Sequence, residues 1–244
     1  IGTDTDWASI STGGLSSYAI KENGSLYAWG QNSSKQLGDG TTVSKNIPTL
    51  IGNSTDWGMI KGSNYSVLAL RTNGSLWAWG LNSDGQLGNG TLENISEPIQ
   101  IGTDLNWTNI SLSVNHGFGL KANGTIWSSG NNFSGQLGQG NTNNSTSFTQ
   151  IGTSNSWRSI ALGTSNSLAL GTTYSLALDN LNNLYSWGDN FSGQLGKGNT
   201  YIAVPRQVGN DFSWEKVFAG LSKLYTEIWP KTIIPGYPWT KPES

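Results

Sequence analysis

The sequence contains few residues that could perform acid–base, nucleophilic or thiol chemistry. It has one histidine, His116, and no cysteine among 244 residues. A catalytic histidine needs an orienting acid and a nucleophile close by, and no Gly-x-Ser-x-Gly element accompanies this one. The lack of cysteine excludes thiolate catalysis, disulfides and Cys-based zinc sites. We therefore expect a protein that is not an enzyme, in which His116 caps backbone groups at a turn.

Two short segments are similar to ligand-binding loops but lack essential parts. Residues 82–85, Asn-Ser-Asp-Gly, resemble the start of a calcium loop, yet the later ligands are missing. The repeated Gly-Gln-Leu-Gly-x-Gly segments resemble phosphate-binding loops, but no Lys-Ser/Thr pair follows them. The sequence therefore predicts no metal site and no cofactor.

Composition limits the classes of partner that the protein could bind and the cellular compartments in which it could act. Charged residues make up 11% of the chain and the net charge is −2, so no basic surface for nucleic acid is expected. No apolar run is long enough to span a bilayer. The chain lacks an initiator methionine, which favours a segment of a longer protein or a processed one. The Asn-, Ser-, Thr- and Gly-rich composition favours an extracellular or cell-surface location, and a cytoplasmic one stays open.

The elements that must position any functional residue are repeats of about fifty residues. Units start near residues 1, 51, 101, 151 and 208, and each contains a tryptophan followed three residues later by Ile or Val. The first four units also contain an aromatic strand at 25–30, 75–80, 125–130 or 183–188, and then Gln-Leu-Gly at 36–38, 86–88, 136–138 or 194–196. Self-similarity at this period is typical of propellers and other repeat folds.

Each full unit is expected to form four short strands. Asn-Gly at 23–24, 73–74 and 123–124 lies between apolar runs and predicts hairpins with type I′ turns. In the strand at 25–30, Leu26 and Ala28 point one way and Tyr27 and Trp29 the other, so both faces are apolar and buried. Four-stranded antiparallel sheets buried on both faces predict an all-β fold of β-propeller blades.

The tryptophans and glycines that recur in register are expected to have structural roles in blade packing and turns. These residues are Trp7, Trp57, Trp107, Trp157, Trp214, Trp29, Trp79, Trp187, Gly38, Gly88, Gly138 and Gly196.

The composite motif resembles the repeat of the regulator of chromosome condensation family. The matching parts are the aromatic-x-Trp-Gly strand, the Gly-Gln-Leu-Gly-x-Gly loop, a following proline and a Gly-x-x-x-x-x-Ala-Leu strand, over residues 1–228. The resemblance implies a seven-bladed propeller, of which this chain supplies an arc of about 4.5 blades. It also implies guanine-nucleotide exchange on a small GTPase as one activity, although no residues of an exchange site map onto this sequence.

Two segments depart from the repeat. Residues 163–170 and 171–178 form a tandem octet duplication, and either octet could fill the same strand position. In the other copies of the repeat, the position of His116 is occupied by Ser16, Ser66, Asn166 and Lys223, and Asn166 belongs to the first octet.

Residues 229–244 leave the pattern and are rich in proline, which predicts an extended tail or linker.

Residues that vary between copies indicate where specificity lies, since propeller loops carry function on a rigid scaffold. We expect a protein–protein interaction module whose partner the sequence does not name. The candidate partner-binding residues are Asp39, Lys45, Asn89, Glu93, Phe133, Gln139, Phe191, Lys197 and Tyr201. The alternatives are a guanine-nucleotide exchange factor, a protein inhibitor of a secreted enzyme, and a structural surface repeat. Uncovered terminal blades predict self-association or additional blades.

Overall fold

A computed structural model describes residues 4–163, 174–196, 201–210, 214–219 and 224–227. Blade one contains β1 (Trp7–Thr12), β2 (Ser16–Lys21), β3 (Leu26–Gly30) and β4 (Lys45–Leu50). Blade two contains β5 (Trp57–Gly62), β6 (Ser66–Arg71), β7 (Leu76–Gly80) and β8 (Ile95–Gln100). Blade three contains β9 (Trp107–Leu112), β10 (His116–Lys121), β11 (Ile126–Gly130) and β12 (Ser145–Gln150). Blade four contains β13 (Trp157–Gly163), β14 (Tyr174–Asp179), β15 (Leu184–Asp189) and β16 (Tyr201–Gln207). Blade five contributes β17 (Lys216–Ala219) and β18 (Leu224–Glu227).

The first four blades are four-stranded antiparallel sheets with their strands in chain order, and β17 pairs with β18. The first strands of successive blades pack against one another, so they line the inside of the arrangement and the fourth strands form its rim. The blades form an open arc. The predicted all-β fold of four-stranded propeller blades is therefore confirmed. The predicted tail at 229–244 lies outside the described residues.

Blade two buries both faces, as the strand pattern predicts, whereas one face of blade one is uncovered and exposes Ile10. In β7, Leu76 and Ala78 pack in one core with Trp107 and Ile110 of blade three. Trp79, on the opposite face of the same strand, packs in a second core with residues of blade one. Alternation along a strand thus supplies apolar side chains to two interfaces at once.

The type I′ turn predicted for the Asn-Gly hairpins is wrong. Gly24 has a φ of 79°, whereas Asn23 is not among the residues with positive φ. The Gly24 amide donates to the Lys21 carbonyl oxygen at 2.8 Å, and the Lys21 amide donates to the Ser25 carbonyl oxygen at 3.0 Å. This is a three-residue loop that closes with a left-handed glycine. In blade four, Asn182 takes that position with a φ of 65°.

The octet duplication is resolved in favour of its second copy. β14 begins at Tyr174, which lies opposite Gly188, just as His116 lies opposite Gly130 in blade three. Tyr174, and not Asn166, is therefore the counterpart of His116. The sequence could not separate the two octets because both have the same alternation, and most of the first octet lies outside the described residues.

Candidate functional site: the loop face

The long loops between third and fourth strands lie at the same end of the blades as the turns between first and second strands. The Gln31 amide donates to the Leu15 carbonyl oxygen at 2.8 Å, and Leu81 and Tyr65 repeat this bond in blade two. We call this end the loop face, which comprises turns 13–15, 63–65 and 113–115, loops 31–44, 81–94, 131–144 and 190–196, and Tyr201 at the start of β16. The opposite end is the hairpin face, with hairpins 22–25, 72–75, 122–125 and 180–183 and the connections between blades at 51–56, 101–106 and 151–156.

A buried asparagine organises each long loop. In blade one, the Asn32 amide nitrogen donates to Asp39 Oδ1 at 2.9 Å and to the Thr41 carbonyl oxygen at 3.0 Å. Its side-chain oxygen accepts the Leu37 amide at 2.9 Å. Asn82 and Asn132 repeat this arrangement in blades two and three. One side chain thus satisfies backbone groups on both sides of the loop and fixes its shape.

Asp39 makes most of its hydrogen bonds within its own loop. Its Oδ1 also accepts the amide of Thr41 at 3.0 Å and the hydroxyl of Thr41 at 2.8 Å, and its Oδ2 lies 3.3 Å from Lys45 Nζ. Burial acts to raise the pKa of this carboxyl, but the bonds from Thr41, Lys45 and Asn32 outweigh it and hold the pKa below its usual value. These contacts shape the loop, and a partner contact by Asp39 or Lys45 stays a prediction.

The equivalent positions in the next two loops are also engaged. Asn89 Oδ1 accepts bonds from Asn82 at 3.0 Å and from the Thr91 amide at 3.1 Å. Gln139 turns back to β11, where its amide nitrogen donates to Ser128 Oγ at 3.1 Å. The side chain of Glu93 is exposed. Lys197 lies outside the described residues.

Exposed apolar side chains are concentrated on the loop face. Phe133 and Phe191 occupy the same position in the loops of adjacent blades, and their side chains are 76% and 86% exposed. Tyr201, at the start of β16, is also exposed. The large apolar residues exposed on this face are Leu15, Val43, Leu92, Phe133, Phe191 and Tyr201. On the hairpin face the corresponding residues are Leu105 and Leu181.

His116 is fully buried at the start of β10. Its Nδ1 lies 2.6 Å from Ser113 Oγ and 3.4 Å from Asn115 Oδ1, both in the preceding turn. Burial lowers the pKa of His116 to about 3, because a charged imidazole would lose its hydration there. The side chain is therefore neutral near pH 7 and ties the turn to the strand.

Most of the recurring tryptophans lie at blade interfaces, and Trp7 and Trp29 lie in blade one, which no described blade precedes. Trp57, Trp107, Trp157, Trp79 and Trp187 are buried, whereas Trp7, Trp29 and Trp214 are half-buried. A methyl group added at Gly38 would lie 2.7 Å from Trp79 Nε1 in the next blade. One added at Gly88 would lie 2.3 Å from Phe148, and one at Gly138 would lie 2.7 Å from Trp187 Nε1. At Gly196 the nearest atom would be 3.5 Å away.

The structure also reveals a group of residues that sequence reasoning missed. The Arg71 guanidinium carbon lies 3.7 Å from the ring centre of Trp77 and 4.9 Å from that of Trp57. Lys121 Nζ lies 3.7 Å from the ring centre of Trp127 in blade three. The sequence signal for this group is a basic residue directly before the hairpin in blades one to three, namely Lys21, Arg71 and Lys121. In blade four this position is Asp179.

Within the described ranges, no group of three or more His, Asp or Glu side chains is placed to hold a metal ion. Nor does that part of the chain contain a helix long and apolar enough to cross a membrane.

Comparison with known proteins agrees with this architecture. The family model for the regulator of chromosome condensation (RCC1) repeat matches residues 23–70, 73–120, 123–170 and 182–222, and a second model of the same repeat matches residues 7–36. No curated protein matches the chain.

Solved structures share the fold at low sequence identity. Human WBSCR16 is 21% identical with a TM-score of 0.79, over 94% of this chain and 59% of that protein. Prp20p of Saccharomyces cerevisiae is 20% identical with a TM-score of 0.77, over 93% of this chain and 56% of that protein. The chain thus spans less than two thirds of the length of either protein. From the repeat matches, the chain belongs to the regulator of chromosome condensation (RCC1) repeat family.

Proposed function

We propose that this chain is a non-enzymatic protein-binding module whose loop face contacts the partner. The observation that supports the proposal most strongly is the pair Phe133 and Phe191, exposed at equivalent positions on adjacent blades. Large aromatic side chains are enriched at the energetic centres of protein interfaces, because they bury much apolar area with few rotatable bonds.

The scaffold beneath these side chains is suited to binding. The Asn131 side chain accepts the Phe133 amide at 3.2 Å and a Gln136 amide hydrogen at 2.7 Å, which fixes the backbone that carries the ring. Preorganised loops lose little conformational entropy when they bind. Polar groups around the rings are mostly uncharged, as is common at the rims of such interfaces.

Proteins of the same fold support a partner that is itself a protein. Prp20p has been described for its binding to Gsp1p and to histones, and yeast RCC1 (Prp20) has been solved with Kap60 bound. The latter structure is 19% identical to this chain with a TM-score of 0.74, over 89% of this chain and 52% of that one. At these identities the fold is shared, and the partner of this chain has to be identified by experiment.

The two faces of the arc offer a matched test. The double substitution Phe133→Ala and Phe191→Ala removes the loop-face aromatics, and Leu105→Ala with Leu181→Ala removes exposed apolar groups from the hairpin face. Each protein would be used as bait in the lysate and culture supernatant of the source organism, with capture quantified by mass spectrometry. We expect a protein that the wild type and the hairpin-face variant capture equally, and that the loop-face variant captures at least about tenfold less. Equal capture by all three baits would contradict the proposal.

Guanine-nucleotide exchange is a second candidate. The family resemblance favours it, and the binding of Gsp1p described for Prp20p is in line with it. Exchange displaces a bound nucleotide without a nucleophile, so the scarcity of catalytic residues does not oppose it. Fluorescent GDP release from the small GTPases of the source organism would test it. Acceleration by the wild type supports this candidate, and release at the intrinsic rate with every GTPase removes it.

A third proposal concerns the uncovered side of blade one. Ile10 is 78% exposed, whereas its counterparts Ile60, Ile110 and Ile160 are buried against the preceding blade. We propose that a second copy of the chain or an additional blade covers this side, because an exposed apolar sheet face favours association.

A further inference from the structure

A crevice of about 380 Å³ opens between blades one and two. Its walls include Asp39 from the loop of blade one, Trp57, Arg71 and Trp77 from blade two, and Glu97 from the rim strand β8. A volume of this size lies in the range of small-molecule sites. Of these side chains, only Asp39 also belongs to the loop face.

Three buried polar atoms of these walls lack a good hydrogen bond within the described residues. Trp57 Nε1 has no acceptor, and Trp57 is only 4% exposed. Asp39 Oδ2, on a side chain that is 9% exposed, has the Lys45 ammonium at 3.3 Å and no other donor. Arg71 Nε lies 3.5 Å from Asp56 Oδ1 without forming a hydrogen bond. Buried polar groups normally have partners, so two donors and one acceptor around one crevice require an explanation.

The next interface provides an internal comparison. A crevice of about 420 Å³ opens between blades two and three at the equivalent place, with Asn89 for Asp39 and Lys121 for Arg71. There Lys121 Nζ is bound by Asp104 at 2.7 Å. Of the three polar atoms, only the tryptophan nitrogen, Trp107 Nε1, stays without a partner. Of these two crevices, only the first thus adds a carboxylate oxygen and a guanidinium nitrogen without a hydrogen bond to the tryptophan nitrogen that both share.

We propose that the crevice between blades one and two binds a neutral, hydroxyl-rich ligand, a sugar ring. Trp57 Nε1 has no acceptor, Arg71 Nε has only the distant Asp56 carboxylate, and Asp39 Oδ2 can accept a further donor beside Lys45. A cation cannot accept and an anion cannot donate, but a hydroxyl group does both. Asp39 and Glu97 also repel anions. The Arg71 guanidinium covers one face of the half-buried Trp77 ring, and the rest of the ring offers an apolar wall to the carbon-bound hydrogens of the sugar.

The second crevice supplies substitutions that the fold already accommodates. Asp39→Asn and Arg71→Lys together place the residues of the second crevice at these two positions of the first. They remove the carboxylate oxygen and the guanidinium Nε. Lys45→Gln is the control, because it eliminates the ion pair and leaves the Asp39 carboxylate in place. Thermal unfolding of each variant would verify that the blades remain folded.

Saturation-transfer difference NMR is a suitable measurement, with methyl β-D-glucopyranoside, methyl α-D-mannopyranoside and methyl N-acetyl-β-D-glucosaminide as probes. We expect transfer to the ring hydrogens of at least one glycoside, with affinity about tenfold lower in the double variant and within about twofold of wild type in Lys45→Gln. Three outcomes would overturn the proposal: no transfer to any glycoside, equal affinity in the double variant, or binding of N-methylacetamide or methylguanidinium while the glycosides do not bind.

Discussion

Trp79 Nε1, in blade two, donates a hydrogen bond of 3.0 Å to the backbone carbonyl oxygen of Gln36, in blade one. Trp187 makes the same bond to Gln136 at 2.9 Å, and Ser129, which takes the place of the tryptophan in blade three, donates to the Gln86 carbonyl oxygen at 3.3 Å. The Trp-Gly strand and the Gln-Leu-Gly loop are therefore two halves of one contact, each half supplied by a different blade.

Replacing Trp79 with Phe should destabilise the arc. The substitution removes a buried hydrogen bond and leaves unfilled volume, so we expect the free energy of unfolding to fall by about 1–3 kcal/mol. Urea denaturation followed by circular dichroism would measure it. Trp29→Phe is the control, because Trp29 is half-buried with no blade before it in the described structure. Equal losses in the two variants would show that the inter-blade contact contributes little.

Replacing Gly38 with Ala should cost more than replacing Gly52 with Ala. Both glycines have positive φ, 77° and 61°, so both substitutions carry a backbone penalty of about 1–2 kcal/mol. Only Gly38 also faces the next blade, where a methyl group would lie 2.7 Å from Trp79 Nε1, whereas Gly52 has nothing within 4 Å. We expect a difference of at least about 1 kcal/mol between the two variants in the same denaturation experiment. Indistinguishable midpoints would contradict the close approach.

His116 should make the protein less stable in acid. Its pKa is about 3 in the folded state and 6.5 when the chain is unfolded, so between these values the unfolded state binds a proton that the folded state does not. Stability is therefore retained above about pH 6.5 and falls toward pH 3, with a slope of up to about 1.4 kcal/mol per pH unit from this residue.

His116→Ser, which copies Ser16 and Ser66, isolates this contribution. Carboxyl groups such as Asp39 contribute equally in both proteins. We therefore expect the free energy of unfolding of the variant to fall less steeply than that of the wild type between pH 6.5 and pH 3. Parallel curves for wild type and variant would mean that the imidazole is hydrated or charged in the folded state.

Ile10→Asp should reduce self-association of this 244-residue chain. A carboxylate on the uncovered side of blade one opposes burial there, and the side chain is already exposed, so folding should be unaffected. Sedimentation velocity over a range of concentrations would compare it with Leu181→Asp, a substitution at a similarly exposed residue on the hairpin face. A wild-type chain that sediments as a monomer at every concentration would exclude association through this side.

The fold was predictable from the sequence because the same strand and turn pattern occurs in register in each of the first four units. Strand order, the double-sided burial of β7 and the packing of Trp79 all follow from alternation and spacing. The hairpin type could not be predicted, since Asn-Gly is compatible with both two- and three-residue loops. Only the backbone conformation of Asn23, which lacks a positive φ, separates them. Tyr174 could not be distinguished from Asn166 because the two octets carry the same pattern.

The candidate sites were less accessible to sequence reasoning. Phe133 and Phe191 stood out as aromatic residues at positions that are Ser in blades one and two, and the structure shows both exposed. The crevice depends on Asp39 and Arg71, which lie in different repeats and line the same crevice only because adjacent blades pack. No local pattern contains that pairing.

The hydrogen bonds between blades run in both directions. Trp79 and Trp187 donate to a carbonyl oxygen of the preceding blade, whereas the backbone amides of Gly40, Gly90 and Gly140 donate to a carbonyl oxygen of the following blade. Removing a carboxyl-terminal blade therefore takes a donor from one group of its neighbour and an acceptor from another, and the two ends of a stack of blades differ chemically. During synthesis on the ribosome, the Gln36 carbonyl oxygen would first accept the Tyr18 hydroxyl of its own blade and would gain Trp79 Nε1 when blade two emerged.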